Sequence, residues 1–331
     1  MQVHRGRRPR ITPGLLLAFV VLAPAACNPA DGEISDRGAA ASSPAAGVEL
    51  TQAPSDSIAW KAVDRALGRK GEVQPGGIYK FSMPRSDLAV TSAGVRIKPA
   101  LALGSWLAFK PKGAGVVAMG DLVLTEREYV RVLARLRQGN VGQTALHKHL
   151  PEQSPPLWWM HIHAEGDPLP IAATVKAALA LTGTPAESAP RASSGTSTDA
   201  TSLDTAAIDD ALGRGGDMSG GVYHISVPRA ETIRAGAIEV PPSMGTATAL
   251  NFQPTGGGKA AINGDFVLLA DEVQPVIAAL NASGIQVVAL HNHMLEEEPR
   301  LFFMHFWAND DAVKLARGLK AALDKTNSAQ P

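Results

Sequence analysis

The stretch that decides the fold is GDLVLTEREYVRVLARLRQGNVGQTALHKHL, residues 120–150, because its pattern is typical of a strand, a helix and a second strand in succession. The same pattern recurs as GDFVLLADEVQPVIAALNASGIQVVALHNHM at residues 264–294. Both copies begin with a Gly-Asp pair and end close to a His-x-His pair. A recurrence of this length indicates that a whole domain is written twice in the chain.

Within residues 120–150, the helix carries sequence signals for its beginning and its end. Thr125 and Glu128 have the spacing of a capping box, in which each side chain satisfies a backbone N–H of the first turn. Gly139, and Gly284 in the second copy, are suited to ending the helix. We therefore expect a helix between the two strands of each copy.

Further matched segments extend the duplication outward on both sides. Gly76–Tyr79 matches Gly220–Tyr223 upstream, and Met160-His161 matches Met304-His305 downstream. The coarse pattern of each copy is a β-α-β-β-α core, and helices on one face of a mainly antiparallel sheet give a two-layer sandwich. The sequence therefore predicts an α+β fold made by tandem duplication of a two-layer α/β sandwich domain.

The matched segments and the composition between them divide the chain into five parts. The two linkers are rich in Ala, Ser, Pro, Gly and Thr and show no apolar period. The expected parts are an export signal at 1–27, a flexible linker at 28–55, the first α+β repeat at 56–185, a linker at 186–203 and the second α+β repeat at 204–327.

The N-terminal residues are typical of an export signal. Four arginines within residues 5–10 form a basic head, and residues 15–26 are a short apolar run that ends in small residues. Cys27, the single cysteine, follows directly, as in a lipoprotein signal whose cysteine is lipidated. Ordinary cleavage before Cys27 is the alternative. We expect an exported protein, periplasmic or at the outer membrane or cell surface, with a lipid anchor in the membrane if Cys27 is lipidated.

Composition narrows the classes of function. Apolar residues make up 45% of the chain and charged residues 19%, which is enough for sizeable buried cores. Thirty-one basic residues balance thirty-one acidic ones. A nucleic-acid-binding surface usually carries an excess of basic residues, so we expect no nucleic-acid partner.

Histidines are the most chemically informative residues of the duplication. Six of the nine fall at matched positions, and a seventh, His163, is matched by Trp307. Residues two apart on a strand point to the same side, about 7 Å from each other, so each His-x-His pair shares a face. The candidate metal ligands are His147, His149, His161, His163, His291, His293 and His305.

These histidines are expected on pairs of strands joined by a loop that contains proline and glutamate. The strands are expected at 143–150 and 157–164 in the first repeat, and at 285–294 and 301–308 in the second. A symmetric hairpin centred on Pro155 would place His149 opposite His161, and His147 opposite His163. Directly opposite side chains lie about 5 Å apart, close enough for several imidazoles to share one ion.

Neutral imidazole and carboxylate ligands suit zinc, copper, nickel or iron. Glu152 and its counterpart Glu296, at the edge of the loop, are candidates for a catalytic proton shuttle. An alternative is that the histidines are core residues, stacked on Trp158, Trp159 and Phe303 and hydrogen-bonded. Both interpretations stay open at the level of sequence.

Two other matched pairs are polar. Arg85 and Arg229 end matched Pro-Arg strands and are candidates for binding an anionic ligand, with a structural salt bridge as the alternative. Asp121 and Asp265 follow matched glycines. Turn chemistry accounts for these two aspartates, so they are not among the expected ligands.

The stretch Ala289–Met294, followed by EPRLFFMHFW at residues 298–307, resembles the LppY/LpqO family of bacterial lipoproteins, a domain of unknown function. The resemblance covers both copies, over roughly residues 56–327, and the first copy departs from it at Lys148, Pro151 and His163. It implies an exported, often lipidated protein. It supplies no activity and no site residue.

Three functional hypotheses follow. The first is an exported, lipid-anchored binding protein with a His-lined site in each repeat, which holds a transition metal or a small ligand. The second is a metal-dependent hydrolase that uses Glu152 or Glu296 as a proton shuttle. The third is a structural interaction module whose histidines belong to the core.

Overall fold

The computed structural model describes residues 58–186 and 203–330. The expected signal, the first linker, Cys27 and most of the second linker lie outside these residues. In the described part of the chain, no helix is both long and apolar enough to cross a bilayer. The two repeats belong to one compact unit.

The first repeat consists of four helices and nine strands. In chain order they are α1 (Trp60–Leu67), β1 (Glu72–Gln74), β2 (Ile78–Pro84), β3 (Thr91–Ser92), β4 (Val95–Arg96), α2 (Pro99–Ala102), β5 (Gly104–Lys112), β6 (Gly115–Thr125), α3 (Tyr129–Gln138), β7 (Gly142–His147), β8 (Gln153–Ser154), β9 (Leu157–Gly166) and α4 (Pro168–Leu179).

The second repeat follows the same order, with a 3₁₀ turn at Pro242–Met244 in place of α2. Its elements are α5 (Thr205–Leu212), β10 (Asp217–Ser219), β11 (Val222–Pro228), β12 (Arg234–Ala235), β13 (Ile238–Glu239), β14 (Ala247–Gly256), β15 (Lys259–Leu268), α6 (Val273–Ala282), β16 (Gln286–His291), β17 (Glu297–Glu298), β18 (Phe302–Asp311) and α7 (Ala312–Leu323).

Each repeat is built on a six-stranded antiparallel sheet. The strand order is β1-β2-β5-β6-β9-β7 in the first repeat and β10-β11-β14-β15-β18-β16 in the second. Helices α1, α3 and α4 cover one face of the first sheet, and α5, α6 and α7 cover the equivalent face of the second. The prediction of a duplicated α+β domain with antiparallel sheets is confirmed.

Alternation along the strands separates the two faces of each sheet. On β6, Leu122 and Leu124 point into the core under the helices, whereas Val123 between them points to the opposite face. On that opposite face, Val123 and Trp159 belong to a buried cluster that also contains Trp307 of the second repeat. The sheet faces opposite the long helices therefore pack towards each other, with the short helix α2 on the same side, and the chain forms helix, sheet, sheet and helix layers.

The predicted register of the histidine strands is wrong. His147 on β7 lies opposite Trp159, and His161 on β9 lies opposite Ala145, not His149. The loop between these strands is not a simple hairpin, because β8 within it pairs with β3 in a small separate sheet. His147 and His161 nevertheless lie on one side of the sheet, because the observed register differs from the symmetric hairpin by an even number of residues.

Candidate metal centre

The histidines of the two repeats lie in one cluster between the sheets. The rings of His147 and His291 stack with their centroids 3.6 Å apart. His149 lies 3.7 Å from His305, and His161 lies 3.9 Å from His293, again measured between ring centroids. The expectation of a separate site in each repeat is therefore wrong, because the faces that carry the histidines pack against each other.

The contacts follow an approximate twofold relation between the repeats. His147 and His291 occupy equivalent positions and contact each other across the axis. The His149–His305 contact is the equivalent of the His293–His161 contact, and their centroid distances differ by only a few tenths of an ångström. The duplication thus produces a site that neither repeat contains alone.

Two aspartates that the sequence did not mark as ligands belong to this cluster. Asp121 on β6 lies directly opposite His161, and Asp265 on β15 lies directly opposite His305. Asp121 Oδ2 is 3.6 Å from His149 Nε2, and Asp265 Oδ2 is 2.9 Å from His293 Nε2. The sequence did contain a signal for these two ligands: each is a charged residue in the middle of an otherwise apolar strand. A buried carboxylate without a partner destabilises the fold, so such a residue needs one.

Backbone carbonyls fix the orientation of several rings. His305 Nδ1 donates a hydrogen bond of 2.7 Å to the carbonyl oxygen of Gly264, and His161 makes the equivalent bond with Gly120. His293 Nδ1 donates to the carbonyl of Gly245 over 3.1 Å. A ring that donates from Nδ1 has its lone pair on Nε2, which is the usual arrangement of a metal-binding histidine and its supporting carbonyl.

The remaining polar atoms of the cluster are buried without hydrogen-bond partners among the described residues. His293 Nε2 is close to Asp265 Oδ2 but lies outside hydrogen-bond geometry. Unpaired buried polar atoms are rare in folded proteins, so several in one place require a physical explanation. Here they are Asp121 Oδ1, His147 Nδ1, His161 Nε2, Asp265 Oδ1, His291 Nε2, His293 Nε2 and His305 Nε2.

Burial shifts the titration of these groups strongly. Desolvation, and to a smaller extent repulsion from neighbouring imidazoles, holds the pKa values of His147 and His149 well below the usual range. Desolvation lowers the pKa of His305 to about 3. Desolvation, followed by repulsion from Asp265, raises the pKa of Asp121 well above its usual range. The imidazoles are therefore neutral at physiological pH, which is the form that coordinates metals.

The donor atoms are close enough to bind cations. Three groups have all their ligand atoms within 4.8 Å of one another, and two of these groups combine histidines of both repeats. They are His147, His161 and His291; His147, His149 and His305; and Asp265, His291 and His293.

A cavity of about 240 Å³ reaches the cluster from one side. Its wall includes both aspartates and the rings of His149, His161 and His293. Lys80 and Trp106 also line it, and the Lys80 ammonium lies 4.5 Å from the centre of the Trp106 ring. The cavity is large enough to admit an ion together with a small ligand.

Three of the predicted site residues lie apart from the cluster. His163 is half-exposed on β9, 4.0 Å from Glu165. Glu152 and Glu296 are exposed, and neither is among the residues that line the cavity. The structure thus brings together six of the seven predicted histidines and adds the two aspartates.

Arg85 and Arg229 form buried ion pairs outside the cluster. Arg85 donates from Nε and Nη2 to Asp87, from Nη1 and Nη2 to Glu128, and from Nη1 to the carbonyl of Val123. Arg229 makes the same five bonds with Glu231, Glu272 and the carbonyl of Val267. Every N–H of both guanidinium groups is engaged within the chain, so an anion would have to displace these carboxylates.

Solved structures with some similarity include two bacterial microcompartment shell proteins and EtuB. A double-ringed trimeric shell protein of the RMM microcompartment is 13% identical, with a TM-score of 0.19 over 64% of this chain and 84% of that one. EtuB from Clostridium kluyveri is 10% identical (TM-score 0.18) and the trimeric shell protein PduB 12% identical (TM-score 0.19), each over 76% of this chain and 90% of the other. These scores are too low to support any conclusion about fold or function.

A comparison with curated proteins finds no match. A family model does match, at residues 61–181 and again at residues 206–325, in agreement with the duplication. The chain belongs to the family described as Domain of Unknown Function (DUF1259), and it contains two copies of that domain.

Proposed function

We propose that this protein is an exported transition-metal-binding protein whose two repeats share one metal centre. The observation that carries the proposal is the convergence of unpartnered ring nitrogens and carboxylate oxygens from both repeats in one buried cluster. A cation would satisfy these atoms and compensate the two neighbouring aspartates. The short distances between these donor atoms suit a cation, which several of them can bind at once.

The chemistry of the donor set limits the metal. Imidazole nitrogen and carboxylate oxygen favour zinc, copper, nickel or iron over calcium or magnesium, which bind oxygen ligands. Among the described residues, the three ligand groups consist of histidine and aspartate, without cysteine. We therefore expect a divalent transition metal.

The rival interpretation, a structural module with core histidines, has one point in its favour. His149 stacks on Trp159 and His293 stacks on Phe303, with centroid distances of 4.4 Å and 3.4 Å. Stacking provides apolar contact but no partner for the ring nitrogens. Each buried polar atom without a partner destabilises the folded state by about 1–3 kcal/mol. A core with this many such atoms would therefore be strongly destabilised if nothing bound to them.

The cavity favours metal-dependent catalysis as a second candidate function. A hydrolase needs an ion with an open position for water, and the cavity brings solvent to several ligands. Glu152 and Glu296 are too exposed to serve as the expected proton shuttles at this cavity. Binding of azide to the cobalt-substituted protein, seen as a change in visible absorption, would support an open position; an unchanged spectrum would argue for a saturated site.

Export and membrane attachment form a separate part of the proposal. They are supported by the basic head, the apolar run and Cys27, and by the resemblance to the LppY/LpqO lipoproteins. Labelled palmitate should be incorporated into the full chain in a bacterial host and not into the Cys27→Ser variant. Equal labelling of both proteins would exclude Cys27 as the anchor.

The metal proposal is tested by elemental analysis of the protein purified without a histidine tag. We expect at least one equivalent of a transition metal per chain, and a lower metal content in the variant His291→Ala/His293→Ala. His163→Ala is the matched control, because this histidine is on the same strand as His161 but outside the cluster. A protein that is metal-free and takes up none of zinc, copper, nickel or iron would exclude the proposal.

A further inference from the structure

We infer that the cluster binds two ions, each held by a ligand set that crosses between the repeats. This inference rests on the proposed function. The first set is Asp121, His147 and His149 with His305 of the second repeat. The second set is Asp265, His291 and His293 with His161 of the first repeat.

The number of ligands supports two ions. The cluster contains six histidines and two aspartates, eight ligand side chains in all. Zinc in proteins is almost always four-coordinate, so a single ion leaves half of this set without a partner. The twofold relation between the repeats divides the eight into two equivalent sets of four.

The contacts between histidine rings support ligand sets that combine residues of both repeats. His305 has a ring nitrogen within 4.8 Å of ligand nitrogens of both His147 and His149. The cross-repeat ring distances, 3.7 Å for His149–His305 and 3.9 Å for His161–His293, are shorter than the distances within a repeat. Those are 4.9 Å for His147–His161 and 4.7 Å for His291–His305. The third histidine of each repeat is thus nearest to the second histidine of the partner repeat's His-x-His pair, whereas the first histidine of that pair is farther away, at 5.1 Å for His147–His305 and 5.6 Å for His161–His291.

The spacing of the donor atoms suits tetrahedral ions. With metal–ligand bonds near 2.0 Å, two ligands of a tetrahedral ion lie about 3.3 Å apart. His147 Nε2 and His149 Nε2 are 3.0 Å apart. His149 Nε2 lies 3.6 Å from Asp121 Oδ2, and His293 Nε2 lies 2.9 Å from Asp265 Oδ2. These three spacings are close to the tetrahedral value, and the ligand atoms of His305 and His291 lie within 4.8 Å of the other ligands in their groups.

The two aspartates are better accommodated by two ions than by one. Asp121 and Asp265 line the same cavity, so two carboxylates face one confined space. One divalent ion beside each carboxylate compensates both charges locally, and the stacked rings of His147 and His291 separate the two sets. A single central ion would leave at least one carboxylate without a direct counter-charge.

The test counts zinc ions per chain by native mass spectrometry, in a chelator buffer from which the wild-type protein retains two. Even the loss of a residue that merely supports a ligand weakens binding about 10–100-fold, so a set that lacks one ligand should release its ion. The double variant His149→Ala/His305→Ala should retain one ion, because both changes fall in the first set. His149→Ala/His161→Ala should retain none, because each set loses a ligand.

If each ligand set were confined to one repeat, His149→Ala/His305→Ala would retain no ion and His149→Ala/His161→Ala would retain one. That result would overturn the inference. One ion in the wild type would also overturn it while leaving the proposed function intact; no ion would overturn both. The same double variants made with glutamine in place of alanine serve as a second set of proteins. Circular dichroism of each variant, compared with that of His163→Ala, establishes that zinc is lost from folded protein. His163→Ala should retain two ions.

Discussion

His147 and His291 occupy equivalent positions in the two repeats, and their imidazole rings stack 3.6 Å apart on the axis that relates the repeats. Each half of the duplication supplies one His-x-His pair. The pairs meet only because the sheet faces opposite the long helices pack together. The duplication is therefore what creates the site. Several measurable consequences depend on this arrangement.

Metal should stabilise the folded chain. Zinc that binds the native cluster but not the unfolded chain raises the free energy of unfolding by about 4 kcal/mol when its free concentration is a thousand times the dissociation constant. We expect the melting temperature in zinc to exceed that in chelator for the wild type and for His163→Ala. The variant His291→Ala/His293→Ala should show a smaller rise, because one of the two ligand sets loses two ligands; an equal rise would place the zinc elsewhere.

Gly264→Ala should destabilise the protein and weaken the centre. A methyl group at Gly264 would lie 1.9 Å from the carbonyl oxygen of Ala249 and 2.8 Å from the Phe306 ring, so β15 must shift. This strand positions Asp265 and the carbonyl that orients His305. We expect a loss of about 1–3 kcal/mol in urea unfolding, together with weaker zinc binding.

Gly104→Ala is the control for this prediction, since a methyl group there has no neighbour within 4 Å. It should leave both the unfolding free energy and zinc binding near the wild-type values. Equal effects of the two substitutions would contradict the close approach at Gly264.

Arg85→Met should destabilise the first repeat without removing a metal ligand. The guanidinium is buried and pairs with Asp87 and Glu128, so its removal leaves the buried Glu128 carboxylate without a counter-charge. The expected loss is about 3–5 kcal/mol in the free energy of unfolding, measured with urea at pH 7. Lys112→Ala, which breaks a pair with the exposed Glu165, should cost about 0–1 kcal/mol.

Zinc bound by the folded fraction of Arg85→Met should equal that of the wild type. Loss of zinc from folded Arg85→Met would show that the arginine acts at the metal centre.

Acid should remove the contribution of the same ion pair. Burial opposes ionisation of Glu128, but hydrogen bonds from Arg85 and the backbone outweigh it, so its pKa lies below the ordinary value of 4.5. A lowered folded-state pKa gives stability that is present above pH 4.5 and is lost as the pH falls through that pKa.

The difference in unfolding free energy between the wild type and Glu128→Gln should therefore be largest near pH 7 and shrink below pH 4.5. Both proteins carry the same histidines, so the difference isolates the carboxylate. A difference that stays constant down to pH 3 would contradict the assignment.

The local pattern of the sequence predicted the elements better than it predicted the site. The Gly-Asp and His-x-His landmarks placed β6, α3 and β7, because strand and helix periods are local properties of the chain. The even register between β7 and β9 put His147 and His161 on one side of the sheet as expected. Their opposite neighbours were wrong, because β8 pairs with β3 and no local signal announces that pairing.

The local sequence pattern could not predict that the two repeats share one site. An isolated strand does not specify which surface its second face will meet, and here that surface belongs to the other repeat. Asp121 was attributed to turn chemistry, although its position inside an apolar strand was a signal of a buried charge that needs a partner. Of the two roles considered for Arg85, an anion ligand and a structural salt bridge, the structure shows the salt bridge, with Glu128.

The most direct measurement is anomalous diffraction from crystals of the zinc-loaded protein, with data collected on both sides of the zinc absorption edge. The account predicts density about 2.0–2.1 Å from ring nitrogens of both repeats, next to Asp121 or Asp265. Zinc bound only at His163, or by histidines of one repeat alone, would contradict a centre that the two repeats share.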